Sequence, residues 1–128
     1  MAIRVVRLGT PRIPGEGLRV GTVRHPPRGV PKTEHASRNF YDVWLPELAP
    51  SAALVKQGLQ AVDERTWRAF VRRYRAEMKR PEAAHLLALL AALSQRMDLS
   101  VGCFCENESR CHRSVLKEIL REGGADIV

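Results

Sequence analysis

A short apolar run near the carboxyl end, followed by a cysteine-rich turn and an amphipathic helix, sets the strongest limit on the fold. Residues 99–105, LSVGCFC, predict a buried strand that ends at the polar turn CENESRCHR. A helix should begin near Cys111 or His112, bury one apolar face, and end at Gly123 and Gly124. Because a helical pattern also precedes the strand, we expect a compact α/β sandwich whose small sheet is at least partly parallel and flanked by helices. Such sheets bind ligands at the carboxyl ends of their strands.

The rest of the chain supplies more strands and helices. Residues 3–8 and 18–24 predict strands, and the proline-rich stretch HPPRGVPK interrupts regular structure after the second one. A short helix should start at Pro50 and Ser51. The next helix has Asp63 as its cap and an apolar stripe that comprises Trp67, Phe70, Val71, Tyr74 and Met78. The following helix begins at Pro81, and its predicted buried stripe comprises Leu86, Leu89, Leu90, Leu93 and Met97.

Length and composition limit the class of protein. The 128 residues are 45% hydrophobic, which suits one domain spanning residues 1–128. No apolar run approaches the roughly 20 residues that cross a bilayer, and the amino-terminal segment does not read as a signal peptide. Three cysteines lie within nine residues, a pattern that fits a reducing compartment better than a disulfide framework. We therefore expect a cytoplasmic protein with no membrane partner; the oligomeric state is left open.

Positive charge is concentrated in the first third of the chain. The net charge is +7, and residues 1–38 contain eight basic residues against two acidic ones. Seventeen of the 21 basic residues are arginine, whose planar guanidinium suits phosphate and carboxylate groups. A phosphate-bearing or nucleic-acid partner is compatible with this pattern, although an arginine-rich composition also arises from genomic base composition alone.

The turn itself has two chemical interpretations. On a strand, Cys103 and Cys105 would share a face, and Cys111 and His112 would complete a set of zinc ligands. Structural zinc sites, however, usually draw ligands from two separated pairs, whereas this chain has one compact cluster. We therefore predict no metal and no other cofactor, and treat Cys103 and Cys105 as auxiliary thiols.

The start of the last helix favours an anion. A helix amino terminus is electropositive and normally attracts acidic side chains, yet Arg110, His112 and Arg113 crowd this one. A bound anion would explain them, and the same field should lower the pKa of Cys111. The alternative is that Glu106 and Glu108 neutralise the arginines in surface ion pairs. The spacing of a cysteine phosphatase, with five residues between cysteine and arginine, is absent.

Several motifs resemble one bacterial family, known as domain of unknown function 488. They are RVVRLGTPRI, the loop HPPRGV, Trp44 with the following APS, WRAFVRRYRAEM, and CFCENESRCHRSVL, and together they span most of the chain. In the most similar branch the loop reads Asp-Arg, a hydrophobic residue, then Trp-Pro-Arg-Gly, whereas here Val23 and Pro26 replace the Asp and the Trp. Arg24 and Arg28 are retained. The resemblance implies a compact three-layer α/β fold and supplies no reaction.

These observations leave three functions open. The first is an enzyme for a phosphorylated or nucleotide-like substrate, with Cys111 as nucleophile and His112 as acid or base. Its anion-binding residues would be Arg24, Arg28, Arg110 and Arg113, and Arg24, Arg28 and Arg113 would line one cleft with Cys111 and His112. The others are a non-catalytic nucleic-acid-binding module and a thiol redox sensor. The enzyme ranks slightly first, because few aromatic residues are free to stack on bases.

Overall fold

The computed structural model describes residues 1–105, 107 and 110–128. Its four strands are β1 (Ile3–Arg7), β2 (Leu18–Gly21), β3 (Val43–Trp44) and β4 (Leu99–Cys103). Its four α-helices are α1 (Ala52–Leu59), α2 (Glu64–Glu77), α3 (Pro81–Leu93) and α4 (His112–Glu122). Among the described residues, 3₁₀ helices span Lys32–Glu34 and Pro46–Leu48. This composition confirms the predicted compact α/β class, and β3 is an element that the sequence patterns did not indicate.

The four strands form one parallel sheet in the order β1-β4-β2-β3. The segment between β1 and β2 crosses β4 without a helix, whereas α1, α2 and α3 connect the edge strand β3 to the central strand β4. Both β1 and β2 pair with β4, so that Arg7 lies beside Cys103 and Gly21 beside Gly102. The carboxyl ends of these three strands therefore meet at one edge of the sheet.

The two faces of the sheet have different coverings. One face presents Ile3, Val20, Leu99 and Val101 to a core built from all four helices. Burial of such aliphatic side chains contributes roughly 1.5–3 kcal/mol each. The opposite face carries the side chain of Arg19, which donates to Glu16 and to the backbone carbonyls of Thr10 and Asn39. Irregular segments thus cover this second face and satisfy a fully buried guanidinium.

Capping residues set the helix boundaries largely as predicted. The Ser51 hydroxyl accepts the Leu54 amide at the start of α1, and Asp63 with Thr66 forms a reciprocal capping box at the start of α2. Pro81 occupies the first turn of α3. Gly123 ends α4.

The buried face of α3 differs from the predicted stripe. Leu90 is buried, but Leu89 is 54% exposed and Met97 is 36% exposed. The buried residues instead include Ala83, Leu87 and Ala91. Because the helix is apolar on nearly all sides, leucine spacing alone did not identify the side that faces the core.

The predicted strands also end earlier in the structure. β2 stops at Gly21 rather than near residue 24, and β4 stops at Cys103 rather than at residue 105. Cys105 therefore lies beyond the strand, in the connection to α4. Within the described residues, no helix has the length and apolar content needed to cross a membrane.

Candidate functional site

A thiol–imidazole cluster lies at the carboxyl edge of the sheet, and we define it as Cys103, Cys105, Cys111 and His112. Cys103 is the last residue of β4, and Cys111 is the N-cap of α4. Because α4 returns across the end of β4, residues eight positions apart in sequence come into contact. The position agrees with the expectation that sites in parallel sheets lie at strand carboxyl ends.

The sulfur atoms of the cluster share protons. The Sγ atoms of Cys103 and Cys111 lie 2.7 Å apart, and both thiols are free. Both of them lower the pKa of Cys105 through side-chain hydrogen bonding. Cys103 and Cys111 are buried, whereas Cys105 is exposed. Cys105 is therefore the thiol of the cluster that a molecule in solution can reach.

The hydrogen bonds place negative charge on Cys105. The bonds from Cys103 and then Cys111 lower the pKa of Cys105, and the nearby His112 and Arg113 act in the same direction against the effect of burial. The bonds to Cys105 and Cys111, together with burial, raise the pKa of Cys103. The Cys103 bond lowers the pKa of Cys111, but the Cys105 bond and burial outweigh it and raise that pKa to about 11. The expectation of a lowered pKa at Cys111 is therefore wrong, and Cys105 has that property instead.

The ring of His112 is fixed by strand β2. Its Nε2 atom lies 2.7 Å from the carbonyl oxygen of Thr22, which can only accept, so the hydrogen-bond partners assign the ring proton to Nε2. Nδ1 is then an acceptor, 3.6 Å from the Cys111 sulfur. The ring also packs edge-on against Tyr74, with centroids 5.6 Å apart. Burial lowers the pKa of His112 to about 4, so the ring is neutral near pH 7.

Arg113 is a buried cation beside the cluster. Its side chain is 3% exposed, and Nη2 donates to the carbonyl oxygen of Cys105 at 2.7 Å. Within the described residues, its buried Nε atom has no hydrogen-bond partner. Burial of a guanidinium requires compensation, and the negative charge on Cys105 supplies part of it. The proposed pairing of the turn's arginines with Glu106 and Glu108 lies outside the described residues.

The other predicted anion-binding arginines occupy separate places. Arg24 donates to the carbonyls of Ala49 and Pro50, at 3.0 Å each. Arg110 forms an ion pair with Glu64 and lies over the ring of Trp67. Arg28 is exposed and lines a cavity bounded by Phe104. The predicted cleft that joins Arg24 and Arg28 to Arg113 therefore stays a prediction, and contacts within the protein already engage Arg24 and Arg110.

Metal binding is chemically conceivable at the buried part of the cluster. The ligand atoms of Cys103, Cys111 and His112 lie within 4.8 Å of one another. Zinc-bound thiolates, however, stand roughly 3.7 Å apart when each Zn–S bond is ~2.3 Å and the geometry is tetrahedral. The 2.7 Å separation of Cys103 and Cys111 is shorter than that distance, and it is also shorter than a hydrogen bond between two thiols. This distance therefore favours neither arrangement, and the absence of a metal stays a prediction.

Two contributors to the site were not identified from the sequence. Thr22 supplies the carbonyl that orients His112, and its hydroxyl donates to the Gly102 carbonyl at 3.0 Å. Tyr74 was assigned to the core, which is confirmed, but its ring also contacts His112. A polar residue immediately after β2 was the available signal for Thr22. Nothing in the helical stripe distinguished Tyr74 from its apolar neighbours.

Comparison with known proteins gives one match. Residues 3–124 match the family model described as the active DUF488-N3 subclade. No curated protein and no solved structure matches the chain. The match covers every strand and helix of the fold, including the whole thiol–imidazole cluster.

Proposed function

The chain belongs to the DUF488 family, as its motifs indicated, and from this premise we propose that the thiol–imidazole cluster is the active site of an enzyme. Its substrate would be a phosphorylated or nucleotide-like molecule, and Cys105 would be the nucleophile. One observation carries the proposal. Cys105 is exposed, and its pKa is lowered by the buried thiols Cys103 and Cys111 and by the nearby Arg113.

The chemistry is a two-step group transfer to water. The Cys105 thiolate forms a bond to the electrophilic atom of the substrate while the bond to the leaving group breaks, and the electron pair departs with that group. Water supplies the proton that the leaving group takes up. A second water molecule then cleaves the bond between sulfur and the transferred group, which releases the product and regenerates the thiolate.

Cys111 and His112 would act as positioning residues for this thiolate. The single proton of the Cys111 thiol has two acceptors, the Cys105 sulfur and Nδ1 of His112. His112 is held by Thr22, so it fixes the orientation of Cys111 without carrying a charge. The interior of a protein strengthens such hydrogen bonds because water does not compete for the donors.

Arg113 and the start of α4 favour a negatively charged substrate. The first turn of α4 contains no acidic residue, and its N-cap side chain makes no capping hydrogen bond. The amino terminus of α4 and the Arg113 cation both create a positive potential next to Cys105. That potential stabilises the thiolate in the free protein and would attract an anionic group of the substrate.

A thiol redox sensor is the second candidate, because the buried thiols Cys103 and Cys111 are close enough to Cys105 to shift its pKa. Reaction with hydrogen peroxide would convert the Cys105 thiolate to a sulfenic acid and release hydroxide. Cys103 or Cys111 would then attack that sulfur, form a disulfide and release water. Loss of free thiols with peroxide and their recovery with dithiothreitol would indicate this function.

The enzyme proposal is tested with a panel of phosphate esters and nucleotides. Wild-type protein should turn over at least one member, and Cys105→Ser should lose that activity by at least a hundredfold. A matched control is Ser37→Ala, since Ser37 is exposed and its hydroxyl makes only a local bond to Glu34. Turnover that survives in Cys105→Ser would exclude Cys105 as the nucleophile.

A further inference from the structure

Two adjoining cavities lie beside the proline-rich loop that follows strand β2. The first has a volume of about 420 Å³ and the second about 400 Å³, and both are lined by Pro26 and Pro27. Phe104 bounds the second cavity and immediately precedes Cys105. The two cavities together form a groove, which we name the proline-loop groove. Each cavity falls within the usual size range of small-molecule sites.

The first cavity offers an aromatic ring to a ligand. Trp44 lines it and is 39% exposed, although the indole Nε1 donates to the Val23 carbonyl at 2.7 Å. That bond fixes the ring in place, so little side-chain entropy is lost when a ligand stacks on it. A partly exposed, immobilised indole is a suitable platform for a nucleobase, and stacking of this kind is worth roughly 1–3 kcal/mol.

Cations lie along the same groove. Lys32 lines the first cavity, and the exposed Arg28 lines the second. The first cavity also contains Asp42, but two guanidinium nitrogens of Arg12 bind its carboxylate at 2.9 and 3.0 Å. The Asp42 charge is therefore neutralised within the protein. Lys32 and Arg28 give the groove a positive charge, which favours a phosphate group.

We propose that the proline-loop groove binds a nucleotide unit, with its base stacked on Trp44 and its phosphate beside Arg28. The ligand class is defined by the combination of a planar base and a phosphate, as in a mononucleotide or one unit of a single strand. This inference builds on the proposed function, because Phe104 lines the second cavity and is the residue next to Cys105 in the chain. Trp44 would recognise the base of the substrate, and Arg28 would recognise its phosphate.

The test uses Trp44 as its own reporter. Trp67 is the only other tryptophan, so Trp67→Phe leaves Trp44 as the sole indole. This variant is titrated at low salt with AMP, adenosine, inorganic phosphate and a short single-stranded oligonucleotide of mixed sequence. Saturable quenching by AMP or the oligonucleotide, with weaker effects of adenosine and phosphate alone, is expected. If the dissociation constant of the oligonucleotide is within tenfold of that of AMP, the site holds one nucleotide. If the oligonucleotide binds much more tightly, it spans both cavities.

Variants separate groove binding from general attraction to a basic protein. In polarisation measurements with a labelled oligonucleotide, Trp44→Ala and Arg28→Ala should each weaken binding at least tenfold. The matched control is Arg72→Ala, which removes an exposed arginine from α2, far along the chain from the groove. Equal weakening by Arg28→Ala and Arg72→Ala would overturn the proposal, as would unchanged binding by Trp44→Ala or no binding of any nucleotide.

The two proposals can fail separately. Nucleotide binding with wild-type affinity in Cys105→Ser supports the groove whether or not Cys105 is catalytic. Conversely, Cys105 could catalyse turnover of a phosphate ester while no nucleotide changes the fluorescence of Trp44. The enzyme proposal would then stand, and the groove proposal would be wrong.

Discussion

The Nε2 atom of His112 lies 2.7 Å from the carbonyl oxygen of Thr22, so the end of strand β2 fixes the first side chain of helix α4. The consequence reaches the thiols, because the same ring directs Nδ1 at the Cys111 sulfur. Cys111 in turn donates toward Cys105. A chain of contacts thus connects the backbone of β2 to the exposed sulfur, and each link can be removed by substitution.

Removing a buried thiol should make Cys105 less acidic. Hydrogen bonds to a charged group are worth about 1.5–3 kcal/mol, and 1.36 kcal/mol corresponds to one pKa unit, so Cys103→Ala should raise the pKa of Cys105 by roughly 1–2 units. Cys111→Ala should act in the same direction. The measurement is the ultraviolet absorbance of the thiolate during a pH titration. An unchanged titration in both variants would show that the buried thiols do not hold the charge on Cys105.

His112 should make the fold sensitive to mild acid. Its pKa is lowered to about 4 in the folded protein, whereas an unfolded histidine titrates near 6.5, so the unfolded chain binds more protons between these values. The contribution of neutral His112 to the free energy of unfolding is therefore fully present above pH ~6.5. This free energy falls by about 3 kcal/mol as the pH drops to ~4. Urea unfolding at several pH values measures this loss. His112→Gln, which keeps an amide donor for Thr22, should remove most of that dependence, and an equally steep loss in the variant would contradict the assignment.

The buried ion pair on the opposite face of the sheet should be costly to break. Arg19 and Glu16 are joined at 2.7 Å with almost no exposure, and burial alone would raise the pKa of Glu16, but hydrogen bonds from Arg19 and Ser100 outweigh it and lower that pKa. Arg19→Met leaves a buried carboxylate without its partner, which should reduce the free energy of unfolding by roughly 3–5 kcal/mol. Arg12→Met breaks the more exposed pair with Asp42 and should cost ~1 kcal/mol or less. Urea denaturation measures both losses of stability. Similar losses in the two variants would show that the buried Arg19–Glu16 pair contributes no more to stability than the Arg12–Asp42 pair.

Metal content distinguishes a thiol active site from a zinc centre. Protein purified under reducing conditions without added metal should contain well below one zinc ion per chain, because structural zinc sites usually draw on two separated pairs of ligands and this chain has one compact cluster. Elemental analysis by mass spectrometry gives the stoichiometry. One zinc ion per chain, whose removal by a chelator restores the reactivity of Cys105, would instead assign the cluster to metal binding.

Sequence patterns predicted most of the helices and strands because their boundaries depend on contacts between residues that are close in sequence. Asp63 and Ser51 cap helices through side chains only three residues from their partners, so the sequence reports them directly. The strand, turn and helix that carry Cys103 and Cys111 were also predicted, but the contact between their sulfurs was not. Leu89 was misplaced because α3 has few polar positions to mark its outer side.

The properties of the site depended on contacts that a linear pattern does not contain. The nucleophile was assigned to Cys111 from the helix field, yet the point at which β4 ends determines that Cys105 is exposed and Cys111 is buried. Likewise, the Thr22 carbonyl reaches His112 across 90 residues of sequence. Burial and long-range hydrogen bonds therefore decide which thiol carries the charge.

The rate of alkylation of Cys105 as a function of pH tests the central claim most directly. Reduced protein is treated with iodoacetamide, and peptide mass spectrometry reports the modification of each cysteine. A thiol with a lowered pKa remains ionised as the pH falls, so the Cys105 rate should change by less than about threefold between pH 8 and pH 6. A free cysteine, with a pKa near 8.5, should slow by more than about 50-fold over the same range. If Cys105 slows as much as free cysteine, or if Cys111 is modified first, Cys105 is not the thiolate of this site.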